Sequence, residues 1–199
     1  MRATKVAPRD RLLKAANDLF YKEGIRNVGI NRVLEESQTP IMTLYRHFGS
    51  KDGLAAAYLK RRSEHFLKKF DSGVKRRATS PRERILAAFD MLRELVEEPD
   101  YRGCAFINAT VEMASPDHEL TKIARHHKDA ARKWFAEFAA EVGVPDPEGL
   151  AIQLTLLVDG VFVAADLYRE SSGAAYARSA AETLIDAALA AGPKAGAAS

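Results

Sequence analysis

The chain has 199 residues, 47% of them hydrophobic and 29% charged, a formal net charge of +3 and a single cysteine. Wholesale disorder is excluded by that balance, and one or two domains with a real core are allowed. The lone Cys104 excludes an intramolecular disulfide; with no leader-like apolar segment near the start and no uninterrupted apolar run of bilayer length, it points to a cytoplasmic protein with no membrane partner.

In chain order, nearly every segment has helical spacing and no alternating strand run stands out, so the expected fold class is all-α. Arg9 to Glu23 places Leu12, Leu13, Ala16, Leu19 and Phe20 on one face and stops at Gly24, a residue suited to a left-handed C-terminal position. Ile30 to Ser37 is a short helix with Ile30, Val33 and Leu34 inward, and Ile41 to His47 is another. Ser50 is an N-cap for a long helix with Asp52 in its first turn, which fades into "KRRATS". In "SPRE", Ser80 caps, Pro81 takes the first helical position and Glu83 closes a capping box, and Pro99 ends that run. Cys104 to Met113 is a shorter helix. The next stops at Gly143, "DPEG" at Asp146 to Gly149 opens one reaching Tyr168, and the last covers Ala174 to Ala191 before a frayed tail. The total is about nine helices.

Charge is unevenly spread along this plan. Up to Arg62 there are 13 Lys and Arg against 6 Asp and Glu, and beyond it 17 against 21. A polyanion partner is therefore expected for the N-terminal third alone. Two short helices around a tight turn in that basic segment form the plan of a helix-turn-helix, whose second helix enters a major groove of double-stranded DNA. Thr43, Tyr45, Arg46, His47 and Lys51 supply a donor set for phosphates and base edges within one short span. Leu44 and Phe48 are placed to pin that helix to Leu19, Phe20, Val33 and Leu34. Pro40 costs nothing at a helix start, where its missing amide hydrogen has no intrahelical partner.

The helix ending in "LFYKEG", an "I-x-x-V" helix and "TLYRHFGSKDGL" together resemble the tetracycline-repressor (TetR) family of transcriptional regulators, from about Arg9 to Leu59. The resemblance implies that Ile41 to His47 is the recognition helix and Ile30 to Ser37 its support. It also implies that Tyr45 and His47 touch the DNA backbone and Lys51 a phosphate, and that Pro40, Ile41, Met42 and Thr43 lie nearest the bases. Arg32 is a further contact, and Arg2 and Lys5 are placed to enter a minor groove. Three departures from the family pattern stand out. Gln38 replaces the glycine of the turn; Pro40 replaces a capping Ser or Thr and leaves Thr39 as the cap; Gly29 replaces a hydroxyl residue. The apolar Ile41-Met42 pair suggests contact with thymine methyls.

The remainder is expected to receive an input. The resemblance implies a ligand pocket in the C-terminal helices and a four-helix dimer interface made by the last two. Leu154, Leu157, Val158, Val161, Phe162 and Ala165 form one apolar stripe, and Ala181, Leu184, Ile185, Ala188 and Leu189 a second, suited to isologous pairing in a homodimer. Phe89, Leu92, Phe106, Ile107, Val111, Trp134, Phe135, Phe138 and Phe162 could line a cavity for a small apolar effector. Asn108, Thr110, Asp159 or Tyr168 would serve as its polar groups. The domain plan is thus 1–50 for DNA binding, 51–192 for ligand binding and dimerisation, and 193–199 as a disordered tail. His126 and His127 point about 100° apart on a helix and His118 is two turns away, so no metal and no other cofactor is expected. An enzyme is disfavoured by the lack of a phosphate loop, nucleophile elbow or metal triad. A non-specific architectural binder is disfavoured because the basic surplus stops near residue 77. The reading is a ligand-responsive regulator, a repressor of a palindromic operator. Its effector favours a conformation in which the long helix carries the two recognition helices out of register.

Overall fold

The computed structural model describes residues 6–191, so the Arg2 and Lys5 arm and the 193–199 tail lie outside the described residues. Within them the chain forms nine α-helices and no strand: α1 Pro8–Glu23, α2 Ile30–Ser37, α3 Ile41–Phe48, α4 Lys51–Arg77, α5 Pro81–Val96, α6 Ala105–Met113, α7 Glu119–Val142, α8 Pro147–Tyr168 and α9 Ser172–Ala190.

Local chemistry sets most of the ends. The Ser80 side chain accepts from Glu83 N while the Glu83 carboxylate accepts from Ser80 N, closing the expected capping box with Pro81 behind it. Asp146 accepts from Gly149 N at 2.9 Å and opens α8, and Ser50 Oγ accepts from Gly53 N at 3.0 Å and opens α4. Gly24 ends α1 as expected but by another route. Its φ of 90° and ψ of 150° belong to mirror-extended backbone, not to the left-handed helical well.

The chain divides into two compact units, with boundaries inside α4, between Cys104 and Ala105, and inside α7. The first comprises the chain up to His65 together with Ala105–His127; the second comprises Phe66–Cys104 together with the chain from Lys128. In the first, Leu12, Ala16, Val33, Leu44, Leu54 and Leu59 are fully or almost fully buried, and Phe20 meets Tyr58 edge to face at 5.8 Å. In the second, Val74, Ile85, Phe89, Leu92, Phe135, Phe138, Leu154 and Ile185 belong to one continuous core. Cys104 is only half-buried, against that core, rather than fully enclosed.

Candidate nucleic-acid interface

The α2–α3 turn must bend without a glycine, and Gln38 accomplishes this in the left-handed conformation, φ 50° and ψ 46°. Such a backbone strains a side-chain-bearing residue, so something must hold it. Arg11 of α1 does: its Nε donates to Ser37 O and its Nη2 to Gln38 O, both at 3.1 Å. Thr39 N donates to Leu34 O at 3.2 Å, and the Ser37 and Thr39 hydroxyls share a hydrogen bond of 2.7 Å. Periodicity marks Arg11 as an ordinary solvated position, and only its neighbours in space give it a role.

Downstream of that turn α3 presents a mixed outer face. Ile41, Met42, Tyr45, Arg46 and His47 are exposed, Met42 by 69%, while Leu44 is buried. Gly49, at φ 73°, ends the helix by donating to Tyr45 O. The start of α4 then approaches so closely that a Cβ on Gly53 would overlap the Phe48 carbonyl oxygen. This glycine is needed for clearance. Pro40 heads α3 with no side-chain cap.

Two expectations for this face change, and two further residues have partners within the chain. Thr39 does not cap α3, because its hydroxyl is turned to Ser37 and the residue is only 7% exposed. Thr43 is buried as well, so its hydroxyl is not part of the outer donor set. Arg32 is exposed but bound to Glu23 at 2.9 Å, and Lys51 is half-buried with Nζ 3.4 Å from Arg26 O. Pro40, Ile41, Met42, Tyr45, Arg46 and His47 lie together on the open surface. The outer face thus carries two apolar side chains beside a phenol, a guanidinium and an imidazole, a set suited to thymine methyls and phosphate oxygens.

The residues expected at a dimer interface divide by their burial within the single chain. Leu154, Val158, Val161, Phe162, Ala165, Ala181 and Ile185 are buried within the single chain and Leu157, Leu184 and Ala188 are partly buried. Most of them pack in or against the core of the second unit, while Leu189, at the end of the second stripe, is 42% exposed. The opposite side of α8 carries the exposed stripe, Ile152, Leu156, Val163 and Leu167, with Gly160 facing open space between them. By length and composition alone α8 is long and apolar enough to cross a membrane, a property that core helices share, although Glu148, Asp159 and Asp166 interrupt its apolar run.

The expected pocket residues are likewise divided. Phe89, Leu92, Trp134, Phe135, Phe138 and Phe162 belong to the second unit, where Trp134 packs edge to face on Phe70, Phe135 and Phe138. Phe106, Ile107, Asn108, Thr110 and Val111 belong to the first. There Phe106 stacks on His127, ring centroids 3.6 Å apart. Thr110 and Val111 are exposed, so neither lines an interior cavity. In the second unit a cavity of about 550 Å³ opens beside the α8–α9 turn, lined by Val96, Glu97, Tyr101, Ala165, Arg169 and Ser171, and includes none of the expected pocket residues except that it borders the α8 end. Asp159 is paired with Lys128. Among the described residues no three His, Cys, Asp or Glu side chains gather as metal ligands. His127 bonds Ser63 Oγ at 2.8 Å, and His118 Nδ1 accepts from Leu120 N at the head of α7.

A helix-turn-helix with a basic outer face, followed by helices alone, defines a DNA-binding regulator of the all-α kind. The profile described as "Bacterial regulatory proteins, tetR family" matches residues 12–58. Among solved structures, a Streptomyces avermitilis protein assigned to the tetR transcriptional regulators is 33% identical, over 92% of this chain and 98% of that one, with a TM-score of 0.82. SCO4454, a TetR-family transcriptional regulator from Streptomyces coelicolor, is 29% identical over 91% and 95%, with a TM-score of 0.85. The HTH-type transcriptional regulator YjdC of Escherichia coli (strain K12) is 26% identical over 76% of this chain and 80% of its own. The chain belongs to the TetR family of DNA-binding transcriptional regulators, a family of regulators and not of enzymes.

Proposed function

We propose that this regulator is a repressor that binds a palindromic operator as a homodimer and is released by a small apolar effector in the cytoplasm. The observation that carries the DNA side of this reading is the α3 surface. Ile41, Met42, Tyr45, Arg46 and His47 point outward while Thr43 and Leu44 hold the helix down. Tyr45 and His47 contact the DNA backbone, Arg46 and Lys51 meet phosphates, and Pro40, Ile41 and Met42 lie against base edges. Arg32 reaches DNA only by releasing Glu23.

One short helix reads few bases, so two copies on half-sites about one helical turn apart multiply the contact. The exposed stripe Ile152, Leu156, Val163 and Leu167 supports pairing with a symmetry mate. The effector acts by differential affinity for a conformation that does not fit two adjacent grooves. Decisive release needs a preference of about 5 kcal/mol for that state. Phe89, Leu92, Trp134, Phe138 and Phe162 supply the apolar surroundings for it.

The test is selection of genomic fragments by the purified protein beside Tyr45→Ala. A few palindromic sites are expected for the wild type and are lost in the variant, whose thermal midpoint is unchanged. Uniform or absent enrichment by the wild type would refute operator recognition.

A further inference from the structure

Glu112, near the C-terminal end of α6, directs its carboxylate at the α1–α2 turn. Arg26 N donates to Glu112 Oε2 at 2.7 Å. A Cβ on Gly24 would lie 3.2 Å from Oε1 and 3.3 Å from Oε2, so the glycine leaves room for the carboxylate to close on the turn. The same Arg26 presents its carbonyl to Lys51 Nζ at 3.4 Å. Ile25 and Val28, on either side of Arg26 and Asn27, are 3% and 2% exposed, which anchors the turn in the core of the first unit. α6 ends just beyond Glu112, with Ala114 in the left-handed region at φ 51°.

A negative charge one residue away from a lysine that meets phosphate opposes DNA binding by Coulomb repulsion alone. Its position is accounted for if the carboxylate acts as a backbone acceptor that orders the turn. We propose that Glu112 is a positioning residue for DNA binding. Through Arg26 it fixes the α1–α2 turn where Lys51 can reach a phosphate, so that α6 has a direct hold on the helix-turn-helix. This rests on the DNA-binding role of Lys51 proposed above. A turn ordered before binding does not have to be ordered during it, which favours association.

Charge and hydrogen bonding make opposite predictions for two substitutions. Glu112→Gln keeps an oxygen acceptor at the same reach and removes the charge, whereas Glu112→Ala removes both. The measurement is affinity for the most enriched genomic duplex, together with hydrogen exchange at the Arg26 amide. The expected result is roughly tenfold weaker binding for Glu112→Ala, the scale of one charge-assisted hydrogen bond partly expressed. Glu112→Gln should bind no more weakly than wild type. The Arg26 amide should exchange faster in the Ala variant alone.

Equal or tighter binding by both variants overturns the proposal, because Glu112 then acts only as a repelling charge. Faster Arg26 exchange with unchanged affinity also overturns it, leaving a purely structural tie. A wild type that enriches no duplex defeats the DNA-binding reading in that arm by itself, and the positioning role falls with it.

Discussion

The turns of the first unit are held by side chains that reach backbone atoms, whereas the helices of the second are held by side chains that reach one another. Arg11 binds the carbonyls of Ser37 and Gln38, Glu112 the amide of Arg26, and Ser50 the amide of Gly53. In the second unit Arg82 pairs with Glu182 and Asp186, Arg178 with Asp90, and Arg77 with Glu94, around an aromatic and aliphatic core. The difference bears on tolerance to change. A backbone atom has one position, so few residue types can meet it from a given place. Two paired side chains, or two packed rings, can be replaced by another pair of similar size or charge. The family profile matches residues 12–58, all within the first unit.

The second unit should break most severely through its core. Phe89 is fully buried, and Phe89→Ala should cost about 4 kcal/mol in denaturant unfolding. The ion pairs around it are largely exposed and contribute at most about 1 kcal/mol each, so their removal should be minor beside that.

A matched pair of glycines sharpens the comparison. In Gly53→Ala the added methyl meets the Phe48 carbonyl, which is backbone and cannot step aside, and a loss of about 3 kcal/mol is expected. In Gly73→Ala the methyl lies 2.5 Å from Met91 Cε, the far end of a flexible side chain. Improved helix propensity offsets part of that cost, so the net change should stay under about 1 kcal/mol. Thermal unfolding of the two variants decides whether backbone clearance is the stricter demand. Equal losses would end the distinction.

Smaller still in stability, but visible in assembly, is Leu156→Asp. This residue is 66% exposed on α8. The substitution should shift sedimentation toward the monomer while the fold melts at the same temperature.

The smallest effect lies at Asp71, which receives Trp134 Nε1 at 3.1 Å and pairs with Lys75 at 2.8 Å. Burial pushes its carboxyl up, but the hydrogen bonds from Lys75 and Trp134 outweigh that, and the net direction is below 3.8. A lowered folded-state pKa contributes stability that is present above the unfolded value and is lost as pH falls through the folded one. Asp71→Asn should therefore be slightly less stable than wild type at neutral pH. The gap should close well below pH 3.8.

Helix positions were legible because the punctuation is local: Ser80, Pro81 and Glu83, or Asp146 and Pro147, act within one turn of themselves. The outward side of α3 was largely legible too, since polar-headed residues alternate there with Leu44 and Phe48. Thr39 and Thr43 were misjudged because a hydroxyl counts as polar in sequence, yet a short one is readily buried when it finds a neighbour or backbone acceptor. Arg11 and Glu112 carry no motif at all. Their partners are 26 and 86 residues away, and those partners are backbone groups of whatever residue happens to stand there.

By itself the sequence determined the nine helices of the described residues, a helix-turn-helix near the start and the outward Tyr45, Arg46 and His47 of its second helix. Capping, helical periodicity and charge surplus are properties of neighbouring residues and need no fold to be read. Only the tertiary structure decided which side of α8 faces inward. Ile152, Leu156, Val163 and Leu167 are as apolar as Leu154, Val158, Val161 and Phe162, so a period of 3.6 residues finds two equivalent stripes. The packing of α5 and α9 covers the second set and leaves the first exposed. Hydrophobic burial is non-directional, and a helix apolar all round takes its orientation from its neighbours.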